Sequence, residues 1–190
     1  MRFIIGIDEV GRGCWAGPLL AAAVEFSDGK TISGLRDSKK MTKKQREAMV
    51  SRIENTASQF AIGWVWPTEI NKLGLTASVK LAMQRAIYQM RVYDQVIVID
   101  GNINYLPELV HASCLIKADD TIQAVAAASV LAKVARDNYM AELSKEYPQY
   151  GFESHVGYGT KQHQAALDVR GAIETVHRLN YKPVLKVLSR

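Results

Sequence analysis

Two short apolar segments, each ending in an acid, constrain most strongly what this chain can fold into. The segment "FIIGID" ends at Asp8, and "QVIVIDG" carries Asp100 directly after its apolar run. β-Branched residues dominate both segments, which is typical of strands, and a fully apolar run such as the second is typical of the centre of a sheet. Strands followed by strand–helix alternation predict an α/β fold, in which helices cover a sheet.

The other strands are predicted from apolar runs bounded by turn formers. The segment "LLAAAVEF" and a short extended piece around Thr31 and Ile32 would form an antiparallel meander with the first strand. Further strands are predicted in "SQFAIGWVWP", ended by Pro67, and in "HASCLIKADD", ending near Asp119.

Helix signals separate these strands. Thr42 opens the capping box "TKKQ", in which each polar side chain can satisfy a free backbone donor. A second helix is predicted from Thr76, and a long third helix covers "TIQAVAAASVLAKVARDNYMAELSKEY". The alanine-rich first half of the long helix has little side-chain bulk, so a neighbour can approach it closely. After Pro148 we expect irregular chain and short helices, one of them starting at Pro183.

Length and composition suit one domain with a sizeable core. The chain has 190 residues, 48% of them hydrophobic, and we expect a single domain over residues 1–190 with a helical C-terminal segment from about residue 160. The apolar runs are too short to cross a bilayer, so we expect a cytoplasmic protein without a membrane partner, and a monomer is the default expectation for its oligomeric state. The two cysteines and four histidines lack metal-ligand spacing, and scattered histidines favour polar surface or loop packing over zinc.

The charge of the chain favours a polyanionic partner. The formal net charge is +5 and the pI is about 9.2. Basic residues gather in "RDSKKMTKKQR", which includes Lys39. Such a run forms either a solvated helix face or a set of phosphate contacts, and charge alone leaves both interpretations open.

Four acids share a position at, or just after, the C-terminal end of a predicted strand: Asp8, Glu9, Asp100 and Asp119. Any one of them alone is more often a turn former or a helix cap. Together they can converge at one edge of the sheet, where hard cations would compensate their mutual repulsion. Two divalent ions about 3.5–4 Å apart can clamp both the attacking and the leaving oxygen of a phosphodiester. The pattern therefore favours metal-assisted phosphoryl chemistry.

The loop "GRG" follows the first two acids. Gly11 and Gly13 lack Cβ atoms, so backbone amides can approach a ligand and the chain can adopt positive φ. Arg12 adds a planar, permanent charge that could grip a sugar-phosphate backbone. The alternative is an ordinary glycine turn with a solvated arginine, because three residues are a weak signal. The loop matches no dinucleotide fingerprint, and the sequence has no P-loop motif.

The segment "GIDEVGRGCWAGP" strongly resembles the signature of the type 2 ribonucleases H, most closely that of the bacterial ribonuclease HII family. The blocks "DSKK", "VIDG", "IKADD", "AAASVLAKVARD", "YGFESHVGYGTKQH" and "HRLNYKPV" extend the resemblance, in the family's order, over nearly the whole chain. The resemblance implies a ribonuclease H-like fold: a five-stranded mixed sheet flanked by helices, with a small helical C-terminal portion. It implies cleavage of RNA in RNA–DNA hybrids and on the 5′ side of single ribonucleotides embedded in duplex DNA, leaving 3′-hydroxyl and 5′-phosphate ends.

The resemblance also implies roles for single residues. The family's catalytic, metal-binding acids fall on Asp8, Glu9, Asp100 and Asp119, which would hold two Mg²⁺ or Mn²⁺ ions with substrate. Its ribose-sensing elements fall on Gly11, Arg12, Gly13 and Tyr158, and Lys39 matches a basic position expected to meet phosphate. Without the resemblance, Tyr158 would be interpreted as a packed loop aromatic. Asp137 belongs to the signature too and is interpreted as structural or as a support of the site.

The chain departs from the family pattern in few places. Cys14 and Trp15 stand where the family usually has smaller or aliphatic residues, a difference that bears on the packing and rigidity of this loop. Asp120 beside Asp119 makes the fourth ligand ambiguous, and the match to "KAD" favours Asp119. A catalytic motif that begins at residue 8, together with an aspartate as fourth acid, separates the chain from ribonuclease HIII.

Other functions fit parts of the same pattern. A junction resolvase or integrase-like nuclease would also use clustered acids and metal, but it has no need for Tyr158 and the "GRG" loop. A non-catalytic nucleic-acid-binding module would gain nothing from acids near phosphate. A replication clamp is a candidate partner, with the tail after Pro183 as the docking segment.

Overall fold

A five-stranded mixed sheet forms the centre of the computed structural model, which describes residues 3–189. The strands are β1 Phe3–Val10, β2 Leu19–Ser27, β3 Gln59–Val65, β4 Val96–Asp100 and β5 Ala112–Leu115, arranged in the order β3-β2-β1-β4-β5. β2 is antiparallel to both β1 and β3, whereas β4 runs parallel to β1 and β5 runs parallel to β4. The mixed sheet expected from the sequence is therefore confirmed.

Helices cover both faces of the sheet. They are α1 Lys43–Thr56, α2 Pro67–Leu73, α3 Leu75–Ile87, α4 Gln123–Glu146, α5 Phe152–His155, α6 Lys161–Arg170 and α7 Lys182–Leu188. α3 packs on one face through a core that includes Val79, Met83 and Ile87, and α4 packs on the other face beside α1. The last helices follow the sheet, as expected for the C-terminal portion. Within residues 3–189, no helix is both long and apolar enough to span a membrane.

The meander is present, but its third strand was predicted in the wrong place. The third strand is β3, after α1, and the segment around Thr31 and Ile32 is irregular. Ile32 is buried in the core between α1 and α4, and its backbone N–H donates to Oε1 of Gln123 at 3.0 Å. That bond occupies the donor that a sheet ladder would need, so this segment packs as a loop.

The strand predicted to end near Asp119 is shorter than expected. β5 stops at Leu115, and Lys117 adopts a left-handed conformation with φ of 58°. This reversal leads into a short 3₁₀ turn, Ala118–Asp120, which carries Asp119. Pro67 does follow a strand, as predicted, but it also begins α2, a helix that the sequence pattern did not reveal.

Two local predictions are confirmed by contacts. The capping box closes α1: Oγ1 of Thr42 accepts from the backbone N–H of Gln45, and Oε1 of Gln45 accepts from that of Thr42. The alanine-rich half of α4 lies directly on β1, because a Cβ added to Gly6 would fall 2.2 Å from the backbone of Ala124 and Val125. This close approach brings the first half of α4 next to the acid end of β1, where Ser129 forms a hydrogen bond with Asp8.

Candidate active site

Three acids converge at the C-terminal ends of the two central parallel strands. Ile7 pairs with Ile99 in the register of β1 and β4, so the next residues, Asp8 and Asp100, lie at the same edge. The 3₁₀ turn after β5 adds Asp119. Carboxylate oxygens of Asp8, Asp100 and Asp119 all lie within 4.8 Å of one another. In the described part of the chain, no other group of acids, histidines or cysteines comes together in this way.

Burial raises the pKa of two of the acids in this cluster. Burial raises the pKa of Asp8 to about 8, with further increases from Glu9 and Asp100, while a hydrogen bond from Ser129 and one from the backbone N–H of Glu9 oppose the shift. The pKa of Asp119 rises to about 6, again mainly through burial and then through Asp100. Such carboxylates gain from a cation that replaces the protons.

The donor set fits a hard divalent cation. All three side chains offer carboxylate oxygen, which Mg²⁺ and Mn²⁺ prefer, and no sulfur or imidazole belongs to the described cluster. Asp100 is already oriented, since its Oδ1 accepts the backbone N–H of Ala118 at 2.8 Å. The arrangement can neutralise charge on a phosphate that approaches the edge of the sheet.

Glu9, the fourth predicted acid, lies beside this cluster rather than within it. Successive side chains of a strand point to opposite faces, so Glu9 diverges from Asp8. Its Oε1 accepts from Nη1 of Arg12 at 3.1 Å. Burial raises the pKa of Glu9, and Arg12 opposes that shift while Asp100 adds to it. Glu9 therefore links the acid cluster to the "GRG" loop.

The two neighbouring aspartates, Asp119 and Asp120, lie in different surroundings. Asp119 lies in the acid cluster, whereas Asp120 forms an ion pair with Lys40 at the surface. Lys39 is exposed, and its charge lowers the pKa of Asp119, which places it near the acids. Its backbone N–H donates to Oδ1 of Asp37 at 3.0 Å.

The two glycines of the "GRG" loop differ in what they allow. Gly11 has φ of 92°, and a Cβ there would lie 2.6 Å from Nε of Arg136, so both conformation and space require glycine. Gly13 has no positive φ, and a Cβ on it would meet no described atom within 4 Å. The space beside Gly13 is therefore open, whereas Gly11 shapes the loop itself. Between them, the side chain of Arg12 is 45% exposed.

Tyr158 lies next to this loop. An isolated β-bridge pairs Cys14 with Tyr158, and the N–H of Trp15 donates to the carbonyl of Gly157 at 2.8 Å. We call these two paired strips, Cys14–Trp15 and Gly157–Tyr158, the loop seam. Tyr158 is 38% exposed, and its pKa is raised to about 12 by burial and by Cys14, so its hydroxyl keeps its proton at neutral pH.

A buried arginine that sequence reasoning missed fixes both sides of the loop seam. The guanidinium of Arg136 donates to the carbonyls of Pro18 at 2.9 Å and Ala16 at 3.0 Å on one side. On the other side it donates to the carbonyl of Val156 at 2.8 Å. Val156 is β-branched yet has φ of 42°, a strained conformation that the surrounding contacts must hold. Arg136 also lies 5.8 Å from the ring centre of Tyr158.

A second buried arginine holds the "GRG" loop from the C-terminal side. Nε and Nη2 of Arg178 donate to the carbonyl of Gly17 at 3.1 and 3.0 Å, and Nη1 donates to the carbonyl of Arg12 at 3.2 Å. The hydroxyl of Tyr181 donates to the same Arg12 carbonyl at 2.7 Å. Both arginines, Arg136 and Arg178, belong to the sequence blocks "AKVARD" and "HRLNYKPV", which carry the resemblance to the family. The sequence alone does not show that their charged side chains are buried.

Three of the four histidines lie together, an arrangement that their positions in the sequence did not reveal. His155, His163 and His177 meet in one buried cluster behind the loop seam, while His111 is exposed. The three residues stand at separate positions of the C-terminal segment and come together because that segment folds back on itself. Asp137 pairs with Arg46 at 3.5 Å, which ties α4 to α1 and agrees with a structural role.

Comparison with known proteins gives consistent matches. A family model described as ribonuclease HII matches residues 5–184. The curated ribonuclease HII of Delftia acidovorans is 44% identical over 187 residues, which span 98% of this chain and 78% of the relative. That of Vibrio parahaemolyticus is 42% identical over 189 residues, which span 99% and 88%.

Solved structures share the fold. Ribonuclease H2 from Pyrococcus horikoshii matches with a TM-score of 0.84 at 24% identity, over 99% of this chain and 98% of that one. The PCNA:RNase HII complex from Archaeoglobus fulgidus matches with a TM-score of 0.78 at 24% identity, over 94% and 95%. Bst-RNase HIII in complex with Mn²⁺ matches with a TM-score of 0.74 at 20% identity, over 99% and 70%.

A ribonuclease H-like sheet with acids converging at its central strands defines a metal-dependent nuclease. Within that class, the chain belongs to the ribonuclease HII family of endonucleases. The resemblance found in the sequence blocks and the expected enzyme class are both confirmed.

Proposed function

We propose that this protein cuts the RNA strand of RNA–DNA hybrids and the 5′ side of single ribonucleotides embedded in duplex DNA, leaving 3′-hydroxyl and 5′-phosphate ends. One observation carries the proposal. The acid cluster of Asp8, Asp100 and Asp119 is linked through the Glu9–Arg12 ion pair to the "GRG" loop, which leads directly into the loop seam that presents Tyr158. Family membership supports the same activity.

The acid cluster would hold the catalytic metal. Asp8, Asp100 and Asp119 would be direct ligands, and Glu9 would join them on the side of the "GRG" loop. Two bound Mg²⁺ or Mn²⁺ ions would stabilise charge on the phosphate and on the attacking and leaving oxygens. The Mn²⁺ complex of Bst-RNase HIII supports this choice of ions.

Arg12 and Lys39 are the residues best placed to bind the phosphate backbone. Arg12 is exposed at the tip of the loop, and its pairing with Glu9 at 3.1 Å keeps its charge close to the acids. Lys39 is exposed near Asp119, so it can contact a phosphate one step along the strand. The open space at Gly13 leaves room for a sugar to approach the backbone.

Tyr158 is the proposed sensor of the ribose. A 2′-hydroxyl can donate and accept a hydrogen bond, and a deoxyribose offers neither. The Tyr158 side chain is partly exposed, keeps its phenolic proton and lies on a seam that buried groups hold. A site built around a hydroxyl rejects an analogue that lacks it, because its own polar groups stay unpaired.

The other expectations belong to the proposal as well. The chain would act as a cytoplasmic monomer organised as a single domain. The PCNA complex of the archaeal relative supports a clamp as a partner. The candidate docking element is α7 in the tail, where Leu185 and Leu188 are half exposed.

Cleavage of three matched duplexes tests the proposal. One duplex is all DNA, one carries a single ribonucleotide and one is an RNA–DNA hybrid, each tested with Mg²⁺, with Mn²⁺ and with chelator. We expect metal-dependent cutting of the last two, with the nick mapped to the 5′ side of the single ribonucleotide. Cutting of the all-DNA duplex would favour a resolvase or integrase-like activity. Binding without any nick would favour a non-catalytic module.

A further inference from the structure

The buried histidine cluster contacts both strips of the loop seam. The rings of His155 and His163 stack with centres 4.6 Å apart, and Nε2 of His163 lies 3.3 Å from Nε2 of His177. The ring of Trp15 lies 5.5 Å from that of His163. Trp15 also covers Gly159, where a Cβ would fall 2.2 Å from the indole. The histidine cluster therefore packs directly behind the residues of the loop seam that present Tyr158.

Hydrogen bonding assigns one tautomer to each ring of the central pair. Nδ1 of His163 lies 3.0 Å from the carbonyl oxygen of Tyr158, which can only accept, so Nδ1 carries the proton. Nδ1 of His177 lies 2.9 Å from the backbone N–H of Ile173, which can only donate, and 3.3 Å from the carbonyl oxygen of the same residue. The shorter contact, together with the need for a donor to the unprotonated Nε2 of His163, assigns the proton of His177 to Nε2. The Nε2–H of His177 then donates to the free Nε2 of His163. A continuous chain of hydrogen bonds, which we call the relay, therefore runs from the backbone N–H of Ile173 through both rings to the carbonyl of Tyr158.

This relay works only when both rings are neutral. A second proton on either ring would set one N–H against another, at the contact between the rings or at Ile173. Burial, with a smaller contribution from the neighbouring histidines, lowers the pKa of His163 and of His177 to about 4. The titratable groups that face the pair are His155 from α5 and Tyr150, whose ring lies 5.2 Å from that of His177, and the apolar ring of Phe152 packs against both histidines.

We propose that His163 and His177 are positioning residues for Tyr158. The neutral pair donates to the Tyr158 carbonyl and so fixes the angle at which its side chain meets the ribose. The N–H of Thr160 also donates to this carbonyl, at 2.9 Å, so His163 supplies the second of two donors. Trp15, where the chain departs from its family, packs against the same ring. This inference rests on the proposed role of Tyr158.

Two substitutions at His163 separate its hydrogen bond from its packing. His163→Phe keeps an aromatic ring between Trp15 and His155 but removes the donor. His163→Asn places an amide N–H near the position of Nδ1 and can donate to the Tyr158 carbonyl. His111→Asn is the control, because His111 is exposed. For each variant, kcat/KM is measured on the duplex with a single ribonucleotide and on the hybrid.

We expect His163→Phe to lower the ratio of these two values by about tenfold, since small misplacements of a positioning group have effects of this size or larger. His163→Asn should bring the ratio back to within about threefold of the wild type by the same principle, and His111→Asn should leave it unchanged. An unchanged ratio in a folded His163→Phe protein, or an equal loss in both His163 variants, would overturn the proposal.

A measurement on the wild-type protein does not depend on the folding of any variant. Long-range ¹H–¹⁵N spectra of protein labelled at histidine report tautomer and protonation directly. At pH 6 we expect neutral His163 with its proton on Nδ1 and neutral His177 with its proton on Nε2. The opposite tautomer or a protonated ring would refute the relay. Failure of the wild type to nick the single-ribonucleotide duplex would instead refute the proposed function, whatever the spectra show.

Discussion

The acid cluster and the loop seam are built in different ways. The acid cluster takes its geometry from regular structure: two of its acids lie side by side near the C-terminal ends of adjacent parallel strands, and the third follows a short edge strand. The loop seam joins two irregular segments whose carbonyls are held by Arg136 and Arg178 and by the histidine pair. The contrast indicates that the sheet positions the acids, while buried polar side chains position Tyr158, the proposed sensor of the ribose.

A site divided in this way should fail in two separable ways. Damage to the acid cluster should stop cleavage of every substrate without loosening the loops. Damage to the loop seam should change which substrate is preferred while the acids still bind metal. The variants below test each half, beginning with the largest expected effect.

Asp100→Asn should have the largest effect. The change removes one charge and one ligand at nearly constant volume, and Oδ1 of the amide can still accept from Ala118. Because metal-assisted charge stabilisation is worth several kcal/mol, we expect a loss in kcat of at least about a hundredfold on both substrates. Asp8→Asn should behave alike, and substrate binding should persist or tighten modestly as repulsion of phosphate falls.

Asp120→Asn is the matched control for this prediction. Asp120 neighbours Asp119 in sequence but pairs with Lys40 outside the acid cluster, so its loss should leave kcat close to that of the wild type. Titration with Mn²⁺ should show weakened metal binding for Asp100→Asn but not for its control, Asp120→Asn. Nicking by Asp100→Asn at nearly the wild-type rate would exclude the acid cluster as the catalytic centre.

Arg136→Met should weaken the loop seam and the fold together. Three buried carbonyls lose their donor, so we expect the free energy of unfolding to fall by about 2–4 kcal/mol. Arg52→Met is the control, because Arg52 is exposed and donates to a single carbonyl, that of Ser33. Denaturant unfolding measures both. If Arg136→Met lowered the free energy of unfolding no more than Arg52→Met does, the buried guanidinium would not hold the seam.

Lys39→Ala should have the smallest effect. Loss of one phosphate contact should lower the log–log slope of binding against salt by about 0.9 and weaken binding similarly for many sequences. Lys145→Ala is the control, because Lys145 is exposed and pairs with Glu142 on α4. Binding measured across a salt series gives the slopes. Equal slopes for both variants would assign Lys39 to the solvated surface.

The sequence could predict the acid cluster because its determinants are local. Apolar β-branched runs mark the strands, and acids at their ends must meet when those strands are parallel neighbours. The role of Glu9 stays a prediction: the alternation of strand side chains directs it towards Arg12, on the side of the "GRG" loop from which it would join a bound metal. The misplaced third strand shows a further limit, since the packing of Ile32 in the core and a hydrogen bond to Gln123 outweighed local pattern.

The loop seam could not be predicted in the same way. Its determinants are contacts between distant segments, such as Arg136 with Ala16 or His163 with Trp15. Hydrophobic periodicity along the sequence does not reveal these contacts. An arginine is also expected at the surface, because arginine is rarely buried without partners. The resemblance to a family identified Tyr158, but the groups that hold Tyr158 in place become visible only in three dimensions.

Tyr158→Phe gives the most direct test of the proposed division between an acid cluster that cuts and a loop seam that recognises the ribose. The change removes one hydroxyl and keeps the ring, so kcat/KM should fall by about tenfold on the duplex with a single ribonucleotide, where one hydrogen bond decides recognition. The loss should be smaller on a long hybrid, where many registers are available, and Mn²⁺ binding should not change. A selective loss of this kind is the predicted result. Equal losses on both substrates, or no loss on either, would contradict the claim that the loop seam recognises the ribose separately from the acids that cut.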